Sequence, residues 1–139
     1  MRQKKSKMEI KNFFNEGDIF AANAGAQLTI VSEGHAQAVM AVTKQHLNAG
    51  GVCQGGAIFT LADLALAAVM NGHGVLTFSL QSNIAFLQSA KEGDTLTAEA
   101  TEIFDHHKIP YFEVKITNQH GALVCAFTAI AYHTKQTIG

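Results

Sequence analysis

Ala57-Ile-Phe-Thr-Leu-Ala-Asp-Leu-Ala-Leu-Ala-Ala-Val-Met70 is a helix-length run with one charge, Asp63. Ile58, Phe59, Leu61, Leu64, Leu66 and Val69 spread around the helical wheel. A helix that is apolar on every side is expected to be buried on every side. Asn71-Gly72 supplies its stop signal. The glycine-bearing stretch from Asn48 to Gly56 leads into it as a loop. The rest of the chain must therefore supply a surface that wraps one central helix.

Outward from that helix the pattern changes period. Leu76–Leu87 reads as a strand, and Lys91-Glu92-Gly93-Asp94 as a turn. Thr95–Phe104 alternates, with Leu96, Ala98 and Ala100 inward. Pro110–Thr117 and Ala122–Tyr132 are two more strands around the turn Asn118-Gln119-His120-Gly121. On the N-terminal side, Gln27–Ser32 and His35–Thr43 form a pair joined at Glu33-Gly34, with Ala36, Ala38, Met40 and Val42 on one face. Met8–Asn15 has the spacing of a short amphipathic helix, and Asp18–Gly25 is open between helix and loop. Hairpin-length connections predict that the last four strands run as an antiparallel meander. The fold class is α+β: a curved antiparallel sheet wrapped around a long central helix. Its exposed sheet edges call for a second copy of the chain, hence a homodimer.

Length and composition agree with one domain over residues 1–139. Hydrophobic residues make up 47% and charged residues 15%, enough apolar material for a packed core. Arg2, Lys4, Lys5 and Lys7 hold four of the ten basic residues, so residues 1–8 read as a flexible basic tail. The remainder is acidic, which argues against a nucleic-acid partner. No apolar run follows the basic start, and Ala57–Met70 is too short to span a bilayer. No membrane partner and a cytoplasmic location are expected. Cys53 and Cys125 read as free thiols. The seven histidines form no HxxxH spacing, and His106 and His107 would face opposite sides of a strand, so no metal is expected.

Asp63 is the only formal charge between Lys44 and Lys91. An unpaired buried carboxylate costs several kcal/mol and takes up a proton unless it finds partners. A desolvated carboxyl suits a general base or nucleophile. It equally suits a structural Asp that bridges backbone groups. Gly55-Gly56 at the helix start offers unpaired N–H groups to a developing oxyanion. Gly55 and Asp63 lie roughly 12 Å apart along a helix. One small reaction centre on one helix does not reach both. A two-fold dimer resolves this by facing the helix start of one chain with the Asp of the other.

The segment Asn48-Ala-Gly-Gly-Val-Cys-Gln-Gly-Gly-Ala-Ile-Phe-Thr-Leu-Ala-Asp63 resembles the signature of hotdog-fold thioesterases, nearest to the phenylacetic-acid-degradation group of acyl-CoA thioesterases. Ser79–Leu87, Lys91–Asp94 and the strands up to Tyr132-His133 extend the likeness over about Gln27–His133. The resemblance implies a hotdog fold that hydrolyses an acyl or aryl-CoA thioester to a carboxylic acid and free coenzyme A. Asp63 would be general base or nucleophile, and the Gly55 N–H would polarise the carbonyl across the dimer. Asn48 would bind water or orient substrate, and Ser79 would help place the water. Gln54 stands where the family carries His, and Gln cannot carry charge near neutral pH. Lys91, His107 and Lys108, with His106 beside them, are candidates for the coenzyme A phosphates. Phe59, Phe78 and Phe86 are candidates for the acyl pocket. No further cofactor is implied, since coenzyme A belongs to the substrate. A dimer or dimer of dimers fits the family. Two alternatives stay open: a non-catalytic acyl-CoA-binding hotdog module, and a hotdog hydratase or dehydratase.

Overall fold

Ser6 caps the first helix, its Oγ accepting from the Glu9 N–H at 3.2 Å. The structure, a computed structural model, describes residues 6–138. Helix α1 spans Lys7–Gly17, so the last two residues of the expected tail are helical, and residues 1–5 lie outside the described range. Asp18 then accepts from the Ala21 N–H at 3.0 Å and starts a short helix, α2 (Ile19–Asn23). That resolves the ambiguous Asp18–Gly25 stretch by N-capping.

Strand β1 (Gln27–Ser32) pairs antiparallel with β2 (His35–Ala41). After a 3-10 turn at Lys44–His46 and the glycine loop comes α3 (Gly55–Met70). Four strands follow: β3 (Val75–Phe86), β4 (Thr95–Phe104), β5 (Tyr111–Thr117) and β6 (Leu123–Thr137). All pairings are antiparallel, in the order β1-β2-β4-β5-β6-β3. The expected meander is therefore confined to β4, β5 and β6. Strand β3 crosses to the far edge and pairs with β6 from Val75↔Thr137 to Phe86↔Cys125. A short connection does not force neighbours to pair. Here β6 is long enough to hold β5 along one side and β3 along the other.

The sheet's inner face meets α3. Ala36, Ala38, Met40, Leu96, Ala98, Ala100, Val114 and Phe127 are buried against Leu61, Leu64, Leu66 and Val69 in one cluster. The helix is not buried all round. Gly56 and Asp63 are exposed, and Thr60 and Ala67 between and beyond them are half-buried. Their spacing of four, three and four marks one stripe. No second layer of the described protomer covers that stripe, which faces away from the sheet.

The two sheet edges differ. At β1, the Asn15 side chain acts as a strand partner: its Nδ2 donates to Leu28 O at 3.1 Å and its Oδ1 accepts from Leu28 N–H at 2.8 Å. At β3 the edge is long and open, with Phe78, Leu80 and Phe86 more than half exposed. Among the described residues, no helix is long and apolar enough to cross a membrane.

Candidate active site

The loop before α3 is built around Asn48. Its Oδ1 accepts from Gly50 N–H (2.9 Å) and Val52 N–H (3.2 Å), and its backbone pairs with Val52 O. The side chain thus serves the turn, as Asn commonly does. It also leaves its amide nitrogen at the surface for another acceptor. The Leu47–Cys53 bridge closes the loop and delivers the chain to the helix start.

Gln54 is the N-cap of α3 but makes no side-chain cap bond. Gly55 N–H and Gly56 N–H therefore find no acceptor among the described residues, as expected for the first turn of a helix. Both glycines sit under the tips of neighbouring side chains. A Cβ on Gly55 would lie 2.9 Å from Phe86 Cζ, and one on Gly56 would lie 2.8 Å from Gln54 Oε1. The Gln54 side chain thus folds back over the second glycine.

Two cavities flank this helix start. One, about 320 Å³, is lined by Asn48, Cys53, Gly55, Phe86 and Ser89 among others. The other, about 530 Å³, is lined by Phe20, His46, Gln54, Gly56 and Thr60. Asn48 and Gly55 thus share one cavity, while Gln54 turns into the other. His46 is not a substitute for the missing family histidine. Its Nδ1 accepts from Thr43 N–H at 2.9 Å and its Nε2–H donates to Ala24 O at 2.6 Å, which occupies both nitrogens. Its backbone carbonyl in turn accepts from Gln54 N–H at 2.8 Å. His46 and Thr60, both overlooked in the sequence, carry a positional signal only: Thr60 stands four residues from Gly56 on the open stripe.

Asp63 lines neither cavity. Expected in a buried setting, it instead lies on the open stripe, because the sheet covers only the opposite side of α3. No hydrogen bond or ion pair reaches its carboxylate from the described residues. Although solvent touches it, the surrounding protein desolvates the carboxyl and pushes its pKa above the usual range, and the negative charge of Asp18 pushes the same way. Ser79 is exposed on the edge strand, opposite Ala131, and its hydroxyl makes no hydrogen bond among the described residues. One protomer therefore brings Asn48 and Gly55 together and keeps Asp63 and Ser79 apart from that cavity.

The candidates for coenzyme A also separate. Lys91 follows Ser89 and the buried Ala90, whose carbonyl accepts from Cys53 N–H at 2.8 Å, so it stands near the Asn48–Gly55 cavity. His107 and Lys108 lie past the other end of β4, roughly 30 Å away at strand rise. They occupy a loop rather than a strand. His106 Nδ1 accepts from Lys108 N–H and Ile109 N–H, and the rings of His106 and His107 stack at 4.4 Å instead of facing apart. Of the three phenylalanines, Phe86 lines the cavity. Phe59 packs edge-on against Phe127 at 5.3 Å, and Phe78 is exposed on β3. Both cysteines are buried and their thiols are raised by desolvation, Cys125 to about 11, so neither is an available nucleophile.

Residues 50–125, more than half the chain, match the model of the thioesterase superfamily. The chain belongs to that superfamily. It is 33% identical to the acyl-coenzyme A thioesterase PaaI of Escherichia coli K12 over 123 residues, 88% of each chain. The solved structure of E. coli PaaI, from the phenylacetic acid degradation operon, superposes with a TM-score of 0.92 over 96% of both chains. That likeness establishes the hotdog fold. A hypothetical thioesterase of Streptococcus pneumoniae TIGR4, solved with coenzyme A, is 28% identical with a TM-score of 0.81 over 89% of this chain and 99% of that one. Variants of the S. pneumoniae protein replace an aspartate and a threonine sixteen positions beyond it with alanine. Asp63 and Ser79 stand at the same separation.

Proposed function

We propose that this thioesterase-superfamily chain hydrolyses acyl-CoA or aryl-CoA thioesters, with each active site assembled from two protomers. The observation that carries the reading is the division of labour along α3. Among the described residues, free N–H groups and a cavity lie at one end, and an unpaired carboxylate of raised pKa lies eight residues on, on a face no other element covers. The open stripe of α3 and the open edge of β3 both suit a second copy related by a two-fold axis. The working unit is then a homodimer or a dimer of dimers, in the expected cytoplasmic setting.

In that assembly the thioester carbonyl enters the Asn48–Gly55 cavity and its oxygen accepts from the Gly55 N–H. Negative charge developing on that oxygen strengthens the bond, which is how such donors lower a barrier. Asp63 of the facing protomer takes a proton from water as the water oxygen bonds to the carbonyl carbon. In the alternative route its carboxylate oxygen attacks directly, and water then cleaves the anhydride. In either route the carbon–sulfur bond breaks, the coenzyme A thiolate leaves and is protonated, and a carboxylic acid remains. Ser79 helps hold the water, and Asn48 Nδ2 and Gln54 orient the substrate. Lys91 serves the coenzyme A phosphates at one end. His107 and Lys108 reach the same ligand only from another protomer.

Thiol release from a panel of acyl-CoAs, measured for the native protein and Asp63→Asn, tests this reading. Turnover that falls roughly hundredfold or more in the variant supports it. Acyl-CoA binding without turnover points to the non-catalytic module and to Gln54. Turnover unchanged in Asp63→Asn removes the mechanism. The hydratase reading finds least support, since no histidine lies within Asn48–Asp63 and His46 has both nitrogens engaged.

A further inference from the structure

Past the C-terminal end of α3, the fold gathers residues that lie far apart in sequence. His73 sits in the loop between α3 and β3, Glu102 near the end of β4, Asp105 just beyond it, and Glu33 in the β1–β2 turn. His73 Nε2 lies 3.0 and 3.2 Å from the two Glu102 carboxylate oxygens. His73 Nδ1 lies 3.3 Å from Glu33 Oε1. One ligand atom from each of His73, Glu102 and Asp105 falls within 4.8 Å of the other two. The Glu102 side chain is only 9% exposed and that of His73 25%. Among the described residues, no Lys or Arg pairs with Glu102 or Asp105.

We propose that His73, Glu102 and Asp105 form a binding site for a first-row divalent cation, with Zn²⁺ the best match. One imidazole and two carboxylates favour Zn²⁺, Co²⁺ or Ni²⁺ over Mg²⁺ and Ca²⁺, which take oxygen ligands. Tetrahedral ligands bonded at about 2.1 Å stand about 3.4 Å apart, so closure by up to about 1.4 Å from the present spacing completes the set. The second observation is the other ring nitrogen. A metal-bound His nearly always gives its remaining N–H to a carboxylate, which fixes the tautomer and aims the ring. Glu33 Oε1, in ion-pair contact at 3.3 Å, needs only a small turn of the ring to take it. Glu102 is also tied to the β1–β2 turn by its N–H bond to Gly34 O at 3.0 Å. The ion would thus cross-link that turn, the loop after α3 and the end of β4. Because the ligands come from positions 73, 102 and 105, no short spacing motif could announce them. His73 lies ten residues beyond Asp63, roughly 15 Å at helical rise, so the site is independent of the thioester reading.

The test uses the full chain stripped with chelator and titrated with Zn²⁺ by calorimetry and with Co²⁺ by visible absorption. The proposal expects one ion per chain and a rise in melting temperature on adding metal. It expects binding to be lost in His73→Ala and in the shape-conserving Glu102→Gln, and weakened about 10–100-fold in Glu33→Gln. His107→Ala, which alters the stacked pair at the competing histidines, leaves binding unchanged. Absence of binding overturns the proposal. So does a wild-type affinity retained in Glu102→Gln, the variant that decides if His73→Ala does not fold.

Discussion

The ring of Phe86 rests against the Cα of Gly55, so closely that a methyl group on residue 55 would lie 2.9 Å from Phe86 Cζ. An aromatic wall thus stands beside the N–H assigned to the thioester oxygen.

Gly55→Ala should separate stability from activity. The obstructing atom is the tip of a side chain that is 52% exposed, so the ring can swing aside at little cost to the fold. The melting temperature should change little. The substrate carbonyl, however, meets a new methyl group and a displaced ring. A shift of about 1 Å at a reacting centre costs about a hundredfold, and kcat/KM should fall on that scale. Gly55→Ala with Phe86→Ala should recover part of the loss. Steady-state thiol release from the three variants checks this, and wild-type kcat/KM in Gly55→Ala would remove Gly55 from the site.

Asp63 should show its raised pKa in two measurements of opposite sign. The base must be ionised, so kcat/KM should rise with pH through a midpoint above the usual carboxylate value of about 4. For stability, the folded pKa lies above the unfolded one, so the native state holds the proton more tightly. The stability this contributes is complete below the unfolded value and is lost as pH rises through the folded value. At pH 7 the ionised carboxylate therefore destabilises the fold, and Asp63→Asn should melt higher than wild type. The gap should close in acid. Thermal melts across that range at fixed protein concentration check it, and an Asn variant that melts lower at pH 7 contradicts it.

Asn71 should prove a stability residue with no role in chemistry. It is 3% exposed; its Nδ2 donates to Ala67 O at 2.8 Å and its Oδ1 accepts from Thr77 N–H at 2.9 Å. It closes α3 and starts β3 in one side chain. Asn71→Ala leaves the buried Thr77 N–H without an acceptor, a loss of about 1–3 kcal/mol. Urea denaturation should show it, with kcat retained at temperatures where the variant remains folded.

Leu80→Lys addresses the shared site. Leu80 is 62% exposed on the open β3 edge, where a charge discourages strand pairing. Sedimentation should find the native protein at twice 14.9 kDa or more and the variant shifted toward the protomer mass. Activity should fall with the dimer fraction. A fully active protomer would contradict the two-chain site.

Much of this architecture was legible because period and punctuation agreed. Strands β1 and β4 match their expected limits, since each alternates between strong turn signals. The open face of α3 was not legible. Gly56, Thr60 and Ala67 offer no polar contrast to its apolar residues, so the only mark of exposure was Asp63, which invited the opposite reading. Strand β6 continues past Tyr132 through His133-Thr-Lys-Gln-Thr137, a polar run held by backbone pairing to β3, which hydrophobic patterning does not register. The candidate site came from motif spacing between Asn48 and Asp63. Its division within one protomer followed from helical rise. The separation of Lys91 from Lys108 needed the strand between them, and the His73 cluster needed the whole sheet.

The pairing of β3 with β6 also sets an order of events during synthesis. Val75 must wait for Thr137 and Phe86 for Cys125, so the strand that follows α3 leaves the ribosome well before its neighbour exists. Until the last strand emerges, Phe78, Leu80 and Phe86 stand on a ribbon with neither side occupied. Contacts so distant in sequence are slow to form. Nascent chains should therefore depend on chaperone shielding most during translation of residues 87–122, and release from it should coincide with the arrival of β6.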